Sequence, residues 1–127
     1  MAKILIVEDN PANLKLASLL LLRVGHEVLT ARDAETGMAL ALAELPALIL
    51  MDIQLPGMDG LAATRELKQN PASSGILIIA LTALAMKDDE AKALAAGCDA
   101  YIAKPLRYQE FYATIDTVLA RDQRKSA

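Results

Sequence analysis

The sequence predicts an α/β fold, a doubly wound (βα)5 arrangement around a five-stranded parallel sheet, and three observations support this. Short runs rich in Val, Ile and Leu recur along the chain, as is typical of parallel strands covered on both faces. A segment with apolar residues at helical spacing follows each run. The alternation occurs five times, and no linker, repeat or low-complexity segment interrupts it. Right-handed crossovers between parallel strands then place helices on both sides of one sheet.

The first unit begins with KILIVE, residues 3–8, which has the apolar run of a short buried strand. Asn10 is a suitable N-cap for the next helix, and Pro11 suits the first helical position because no backbone donor is needed there. Gly25 is expected to end this helix, since glycine is favoured just beyond a helix C-terminus. The residues expected on its core face are Leu14, Ala17, Leu21 and Val24.

The second and third units repeat the pattern. EVLTA, residues 27–31, predicts a strand, and Asp33 is expected to cap a helix that ends near Glu44. ALILM, residues 47–51, is apolar throughout and predicts the third strand. A loop containing Pro and Gly follows, and the next helix is expected at about residues 61–69.

The fourth and fifth units complete the fold. ILIIAL, residues 76–81, predicts a strand, and Asp88 or Asp89 is expected to cap an Ala-rich helix that ends at Gly97. DAYIA, residues 99–103, predicts the last strand. The last helix is indicated by residues at helical spacing, namely Tyr108, Phe111, Tyr112, Ile115 and Leu119.

Composition narrows the class of protein. The chain has 127 residues, of which 54% are hydrophobic and 23% charged, and this suits one domain with its own core. No apolar run reaches the roughly 18 residues of a membrane span and no signal peptide is evident, so a cytoplasmic location is expected. A net charge of −3 without a basic face argues against direct nucleic-acid binding. The single histidine, His26, and the single cysteine, Cys98, are too few for a zinc site.

Charged and polar side chains occur where the predicted strands end. The first strand ends in Glu8 and Asp9, the third in Asp52, the fourth in Thr82 and Ala83, and the fifth in Lys104 and Pro105. In open parallel sheets ligands bind at this edge. Adjacent acids raise each other's pKa, and Mg²⁺ would relieve that cost because it prefers carboxylates, a carbonyl and water. Together with a lysine and a hydroxyl, such a site suits a phosphoryl group.

Each of these residues has a simpler explanation when taken alone. Asp52 could form the turn before the Pro-Gly loop, and Glu8 and Asp9 could favour the start of a helix. Thr82 could be a cap, and Lys104 a surface charge. Their coincidence at four strand ends favours one shared site.

The motifs LIVEDN, LILMDIQLPGMDG, ALTA and YIAKP resemble, in their order and spacing, the receiver domain of two-component response regulators, the CheY-like superfamily. The resemblance covers residues 3–121 and implies a flavodoxin-like three-layer sandwich with strand order 2-1-3-4-5. MDIQLPGMDG and LTALAMKDD are most similar to DivK-like single-domain receivers and to receivers of hybrid kinases. We therefore expect a receiver domain in residues 1–121, a short polar tail in residues 122–127 and no output domain.

The resemblance implies a role for each residue at the strand ends. Asp52 matches the phosphoacceptor, which attacks the phosphohistidine of a histidine kinase or a histidine phosphotransfer protein. The expected direct Mg²⁺ ligands are Asp9, Asp52 and the backbone carbonyl of Gln54, with Glu8 acting through water. The groups expected to bind the phosphoryl oxygens are Thr82, Lys104 and the backbone N–H of Ala83. The expected switch residues are Thr82, Tyr101 and Pro105, with a cis bond between Lys104 and Pro105.

The resemblance also implies how the signal leaves. Phosphorylation is expected to change a protein-binding surface made by the fourth helix, the fifth strand and the fifth helix, which an unidentified downstream protein recognises. We expect a monomer without membrane contact, and the sequence leaves open whether the activated protein dimerises. We expect a switch and not a turnover enzyme, with slow self-dephosphorylation, because Leu84 stands where fast-hydrolysing relatives carry polar or acidic groups.

Leu19 and Leu22 form a feature that does not depend on the resemblance. Helical geometry places them roughly opposite the core face of the first helix. We advance the hypothesis that they contact the phosphodonor, because an apolar helix face can dock a partner helix. A surplus of leucine at the surface of a Leu-rich protein explains them equally well.

Three other functions compete with a phosphorylated switch. A metal-dependent phosphatase of the haloacid-dehalogenase type also uses a strand-end Asp and a Lys, but Gln54 replaces its second Asp and the chain has no room for a cap domain. A flavin or nucleotide binder needs a Gly-rich phosphate loop, whereas the first strand here ends in acids. A receiver used only as a scaffold would usually have lost its acids, and here all are present.

Overall fold

The computed structural model describes residues 2–82 and 87–126, in which strands and helices alternate. The strands are β1 (Lys3–Val7), β2 (Glu27–Ala31), β3 (Leu48–Asp52), β4 (Leu77–Thr82) and β5 (Ala100–Ala103). The helices are α1 (Pro11–Arg23), α2 (Ala34–Glu44), α3 (Gly60–Gln69), α4 (Lys87–Ala96) and α5 (Tyr108–Ser126). The strands pair in parallel in the order β2-β1-β3-β4-β5, which confirms the predicted fold class and strand order.

Side chains that alternate along the strands divide the core between the two faces of the sheet. On β1, Ile4 and Ile6 belong to the cluster that packs under α1 and α5. Leu5 and Val7 belong to the cluster under α2, α3 and α4. Since both faces are covered, the central strands are apolar along their whole length, and the molecule has the predicted three layers.

Hydrogen bonds at the starts of α1 and α2 confirm two predicted caps. The Asn10 side chain accepts the backbone N–H groups of Ala12 at 2.9 Å and Asn13 at 3.0 Å. The Asp33 side chain accepts the Thr36 N–H at 2.7 Å, and this bond lowers the pKa of Asp33. Both side chains satisfy backbone donors that have no partner within the helix.

The end of α1 differs from the prediction. Ala17 and Leu21 are buried and Leu14 is partly buried, but Val24 is 39% exposed and does not belong to the core face. Val24 is itself the C-cap, so the helix ends before this side chain can turn toward the sheet. Gly25 follows with a φ of 90°, a conformation in which glycine carries little steric cost.

The starts of α3 and α4 also differ. α3 begins at Gly60, one residue early, because the Asp59 side chain caps it by accepting the Ala62 N–H at 2.8 Å. Asp88 and Asp89 do not cap α4, since both lie inside its first turn. An acid in the first turn favours a helix through the helix dipole, so sequence alone does not separate it from a cap.

The remaining differences concern element ends. β3 and β4 lie one residue later than the predicted apolar runs, so that Asp52 and Thr82 end their strands as expected, and β5 begins one residue late, at Ala100. α5 continues to Ser126, so helix extends through most of the segment predicted as a polar tail after residue 121. Within the described ranges, no helix combines the length and apolarity that a membrane crossing requires.

Candidate functional site

The acidic cluster, which consists of Glu8, Asp9 and Asp52, lies where β1 and β3 end. Val7 pairs with Met51 in the sheet, so the next residues along each strand, Glu8 and Asp52, come side by side. Glu8 and Asp52 are buried and Asp9 is partly exposed. One carboxylate oxygen from each residue lies within 4.8 Å of the others. The parallel sheet therefore brings the three predicted acids together.

Lys104 closes the acidic cluster from the side of β5. Its Nζ lies 2.7 Å from Glu8 Oε1 and 3.2 Å from Asp52 Oδ2. Its backbone N–H donates to the Thr82 carbonyl at 2.7 Å, which holds this end of β5 against β4. The peptide bond to Pro105 is cis. Lys104 thus bridges the two buried carboxylates.

The charges of these side chains shift one another's pKa values. Burial and the adjacent Glu8 raise the pKa of Asp52 to about 7, while the Gln54 N–H and Lys104 oppose this only in part. Burial would also raise the pKa of Glu8, but its bonds with Asp52 and Lys104 outweigh burial and lower it. Burial disfavours a charged Lys104, yet the two carboxylates raise its pKa overall. Asp52 is consequently the group that holds a proton when no further cation is near.

The donor set of the acidic cluster fits Mg²⁺. Two buried carboxylates and a third that reaches solvent offer oxygen ligands on one side, and solvent can supply the waters that Mg²⁺ retains. A divalent cation would also replace the proton on Asp52, because a nearby positive charge favours the carboxylate. The residues of the cluster that would hold the ion are Glu8, Asp9 and Asp52.

Two further residues of the predicted site lie near Asp52, Thr82 on the neighbouring strand and Gln54 two positions along the chain. Thr82 follows Leu81, the register partner of Asp52, and it is buried. Among residues 2–82 and 87–126, its hydroxyl has no hydrogen-bond partner, which is unusual for a buried polar group. The Gln54 N–H donates to Asp52 Oδ1 at 2.9 Å and orients that carboxylate. Ala83, and likewise Leu84, lie outside the described residues.

The other predicted residues stand apart from the acidic cluster. Tyr101 lies partly buried on β5 and packs against the core under α2, α3 and α4, and the Glu90 carboxylate of α4 raises the pKa of its hydroxyl. Leu19 and Leu22 are 55% and 53% exposed on α1, as their helical positions predict. None of the contacts that build the cluster involves either leucine.

Sequence reasoning missed two features near these residues. Arg32 follows β2 at the same edge of the sheet, and the rule that found the acids would have found it if applied to the second strand. A groove of about 660 Å³ lies between α1 and α5, and neither Leu19 nor Leu22 lines it. Its lining residues are Leu16, Leu20, Arg23, Val24, Leu106, Tyr108 and Tyr112.

Comparison with known proteins places this arrangement in a family. The response regulator receiver domain family matches residues 4–116. The polar-differentiation response regulator DivK of Brucella anthropi is 43% identical over 116 residues, which are 91% of this chain and 94% of that protein. DivK proteins of Brucella ovis and other Brucella species match to the same extent.

Solved structures agree with the sequence comparisons. A CheY-like response regulator receiver domain protein from Methanospirillum hungatei superposes with a TM-score of 0.90 at 31% identity, covering 98% of each chain. The receiver domain of a sensor histidine kinase from Pseudomonas aeruginosa, described with a magnesium ion coordinated in its active site cleft, superposes with a TM-score of 0.87 at 34% identity, covering 94% of this chain and 98% of that one. With its sequence, its fold and its acidic cluster in agreement, the chain belongs to the response regulator receiver domain family.

Proposed function

We propose that this protein is a single-domain response regulator of a phosphorelay, and that Asp52 accepts a phosphoryl group from a histidine kinase or a histidine phosphotransfer protein. The observation that carries the proposal is the position of Asp52. It ends the central strand, buried between two other acids and within 3.2 Å of a lysine. The similarity to DivK response regulators supports this function.

The chemistry requires Asp52 as a carboxylate. One of its oxygens attacks phosphorus, a P–O bond forms, the P–N bond to the donor imidazole breaks, and the electron pair of that bond returns to the imidazole nitrogen. Mg²⁺, when bound, supplies positive charge that favours the carboxylate and balances the phosphoryl oxygens. The Gln54 N–H holds Oδ1, which leaves Oδ2, on the side of Lys104, to face the donor.

Residues on β4 and β5 suit the transferred group. Lys104 can exchange one of its carboxylate partners for a phosphoryl oxygen without moving out of the site. The buried Thr82 hydroxyl can donate to a second oxygen, and the Ala83 N–H is proposed for a third. Together these groups would balance the negative charge of the phosphoryl oxygens, which the Glu8 and Asp9 carboxylates would otherwise repel.

The signal is proposed to leave through α4, β5 and α5. Movement of the Thr82 hydroxyl toward the phosphoryl group would free space that Tyr101, now partly buried on β5, could occupy. This would change the exposed surface next to Glu90 and so alter binding of a downstream protein.

The protein would act as a cytoplasmic monomer, and phosphate loss would be slow because Leu84 offers no acid or base. A shorter phosphate half-life in Leu84→Glu is the expected result, and an unchanged half-life would count against it.

We also propose that Leu19 and Leu22 contact the phosphodonor. Each exposes more than half of its surface on α1, the helix that Asn10 starts next to the acidic cluster. Leu19→Glu should slow transfer from a cognate phosphotransfer protein and leave labelling by acetyl phosphate unchanged. If wild type and Leu19→Glu accept the phosphoryl group from the phosphotransfer protein at equal rates, the two leucines do not contact the phosphodonor.

The proposed function is tested by incubation with Mg²⁺ and acetyl phosphate. We expect one phosphoryl group per chain, detected as a mass increase, and no labelling of Asp52→Asn or of protein treated with a chelator. Asp116→Asn, which makes the same change at an exposed position on α5, serves as the control. Absence of labelling in the wild type would overturn the proposal, and turnover of added phosphoesters would favour a phosphatase.

A further inference from the structure

Positive charge is unevenly placed around the acidic cluster. Lys104 contacts Glu8 and Asp52 but makes no contact with Asp9 among the ion pairs of the described residues. Its charge is therefore engaged by two carboxylates on the β5 side. On the opposite side, beyond β1, the cation next to Asp9 is Arg32.

The sheet fixes where Arg32 lies. Val7 pairs with Ala31, the last residue of β2, and the Glu8 N–H donates to the Ala31 carbonyl at 3.0 Å. The next residue along β2, Arg32, therefore stands beside Asp9 at the same edge. Its Nη2 lies 3.5 Å from the Asp9 backbone carbonyl, and the residue is exposed.

We propose that Arg32 is a steering residue, which attracts the phosphoryl dianion of the donor toward Asp52; this inference rests on the proposed function. With Mg²⁺ bound, the ion and Lys104 would only balance the three carboxylates, so a further cation at the edge that is free to turn toward an approaching dianion would give it a net attraction. Arg32 can supply this cation, because the one hydrogen bond that it makes among residues 2–82 and 87–126 is long and is made to an uncharged oxygen.

The same charge has an opposite effect on Mg²⁺. A guanidinium beside Asp9 repels a divalent cation held by that residue, so it should weaken Mg²⁺ binding while it favours the anionic donor. A purely structural role would predict the reverse for the metal, because loss of a contact to the Asp9 carbonyl would disorder a ligand. The direction of the change in Mg²⁺ affinity therefore separates steering from support of the fold.

The test compares wild type with Arg32→Gln, Arg32→Lys and the control Arg65→Gln, which removes the same charge from an exposed site on α3. At about 0.05 M ionic strength, Arg32→Gln should lower the second-order rate constant for labelling by acetyl phosphate about threefold, since steering acts on encounter. The difference should vanish at about 1 M salt, where the Debye length is about 3 Å. Calorimetric titration with Mg²⁺ alone should give about twofold tighter binding to Arg32→Gln. Arg32→Lys and Arg65→Gln should match wild type within error.

The outcomes separate this inference from the proposed function. If wild type is labelled and Arg32→Gln has an unchanged rate constant for labelling, or binds Mg²⁺ more weakly, steering is overturned and the proposed function stands. An equal loss in Arg65→Gln would also overturn it, because the effect would then belong to net charge. If wild type itself is not labelled, both fail. Circular dichroism spectra establish that the variants are folded, and Arg32→Lys tests the role of charge without removing the side chain.

Discussion

At the scale of single residues, the pKa of Asp52 makes a prediction about stability. Burial and Glu8 raise this pKa to about 7, well above its ordinary value of 3.8 in an unfolded chain. The folded protein therefore binds the Asp52 proton more tightly than the unfolded one. The stabilisation from this group is complete below about pH 4 and is lost as pH rises through about 7.

Replacing Asp52 with Asn removes this loss. Without metal, the melting temperature of Asp52→Asn should be close to that of wild type at about pH 4 and about 3–8 °C higher at about pH 8. Mg²⁺ should reduce or reverse the difference at pH 8, because it stabilises the wild-type carboxylate. Thermal unfolding at both pH values provides the measurement. An advantage for the variant that shrinks as pH rises would contradict the argument.

Thr82 makes a second prediction, because stability and function should change in opposite directions. Its hydroxyl is buried and, within the part of the chain that the structure describes, unpartnered. Thr82→Val keeps the shape and removes that group, so the free energy of unfolding should rise by up to about 1 kcal/mol. Labelling by acetyl phosphate should slow, since the variant lacks a hydroxyl that would donate a hydrogen bond to a phosphoryl oxygen. Urea unfolding and the labelling rate test the two halves, and a destabilised variant would mean that the hydroxyl has a partner.

The residues at the strand ends were predictable from the sequence, because the carboxyl ends of parallel strands all lie at the same edge of the sheet. Parallel strands that end in Glu8, Asp52 and Lys104 must meet at one edge, whatever the details of packing. The contacts among them were not predictable in the same way. Which carboxylate keeps a proton depends on distances of 2.7 and 3.2 Å from Lys104, and these follow only from the packed sheet.

At the scale of elements, α1 presents two unlike faces built from the same residue type. Leu21 is completely buried against β1 and its neighbours, whereas Leu22 is 53% exposed. Leu21→Ala should lower the free energy of unfolding by about 2–5 kcal/mol, because it leaves a cavity. Leu22→Ala should change it by less than about 0.5 kcal/mol, since alanine favours helix and little packing is lost. Chemical denaturation measures both, and similar losses would show that α1 is packed differently.

Elements were easier to predict than their ends. Apolar runs and helical spacing gave all five units, because burial of one helix face and of whole strands determines the pattern. The end of α1 depends on which residue satisfies its last backbone groups, and the sequence alone does not separate Val24 from Gly25. The start of α4 is ambiguous because an acid such as Asp88 suits the first turn of a helix as well as its cap. The order of the strands came from the family resemblance, because apolar strands of similar length do not encode their neighbours.

At the scale of the whole molecule, the two ends of the sheet differ in how their polar groups are satisfied. The edge with Asp52 carries carboxylates whose charges are only partly balanced. The opposite end carries a closed network around Asp99, which precedes β5. Its Oδ2 lies 3.1 Å from Lys68 Nζ and accepts the Ile78 N–H at 2.9 Å. The Asp99 network thus stabilises the fold at the end of the sheet opposite the acidic cluster, whose charged groups must remain free to bind Mg²⁺ and a phosphoryl group.

The network around Asp99 joins four elements that are distant in sequence. Lys68 comes from α3 and also donates to the Ile76 carbonyl at 2.8 Å, just before β4. Arg121 comes from α5 and donates to the Asp99 carbonyl at 2.8 Å. Both Lys68 and Asp99 are about four-fifths buried, so the pair is shielded from solvent. The sequence does not predict this junction, the network around Asp99, because its members lie on separate elements and share no periodic pattern.

This junction leads to a prediction about cooperative unfolding. Asp99→Ala should lower the free energy of unfolding by about 2–3 kcal/mol, because it leaves the Ile78 N–H without its side-chain acceptor and a shielded Lys68 without its charge partner. Asp99→Asn should lose less, since an amide oxygen can still accept from Ile78. The matched control is Glu44→Ala, which removes an acid that lies 3.2 Å from Lys3 Nζ at a more exposed position. That change should cost less than about 1 kcal/mol.

Urea unfolding monitored by circular dichroism measures all three variants. The slope of the unfolding free energy against urea concentration should be the same for Asp99→Ala as for wild type if the four elements still unfold together. A smaller slope would mean that β5 and α5 separate from the rest once the junction is lost, which is a different role for the same residues. If Asp99→Ala costs no more than Glu44→Ala, the junction does not hold the sheet together. Stability would then depend on the two apolar clusters alone, since these cover both faces of the sheet.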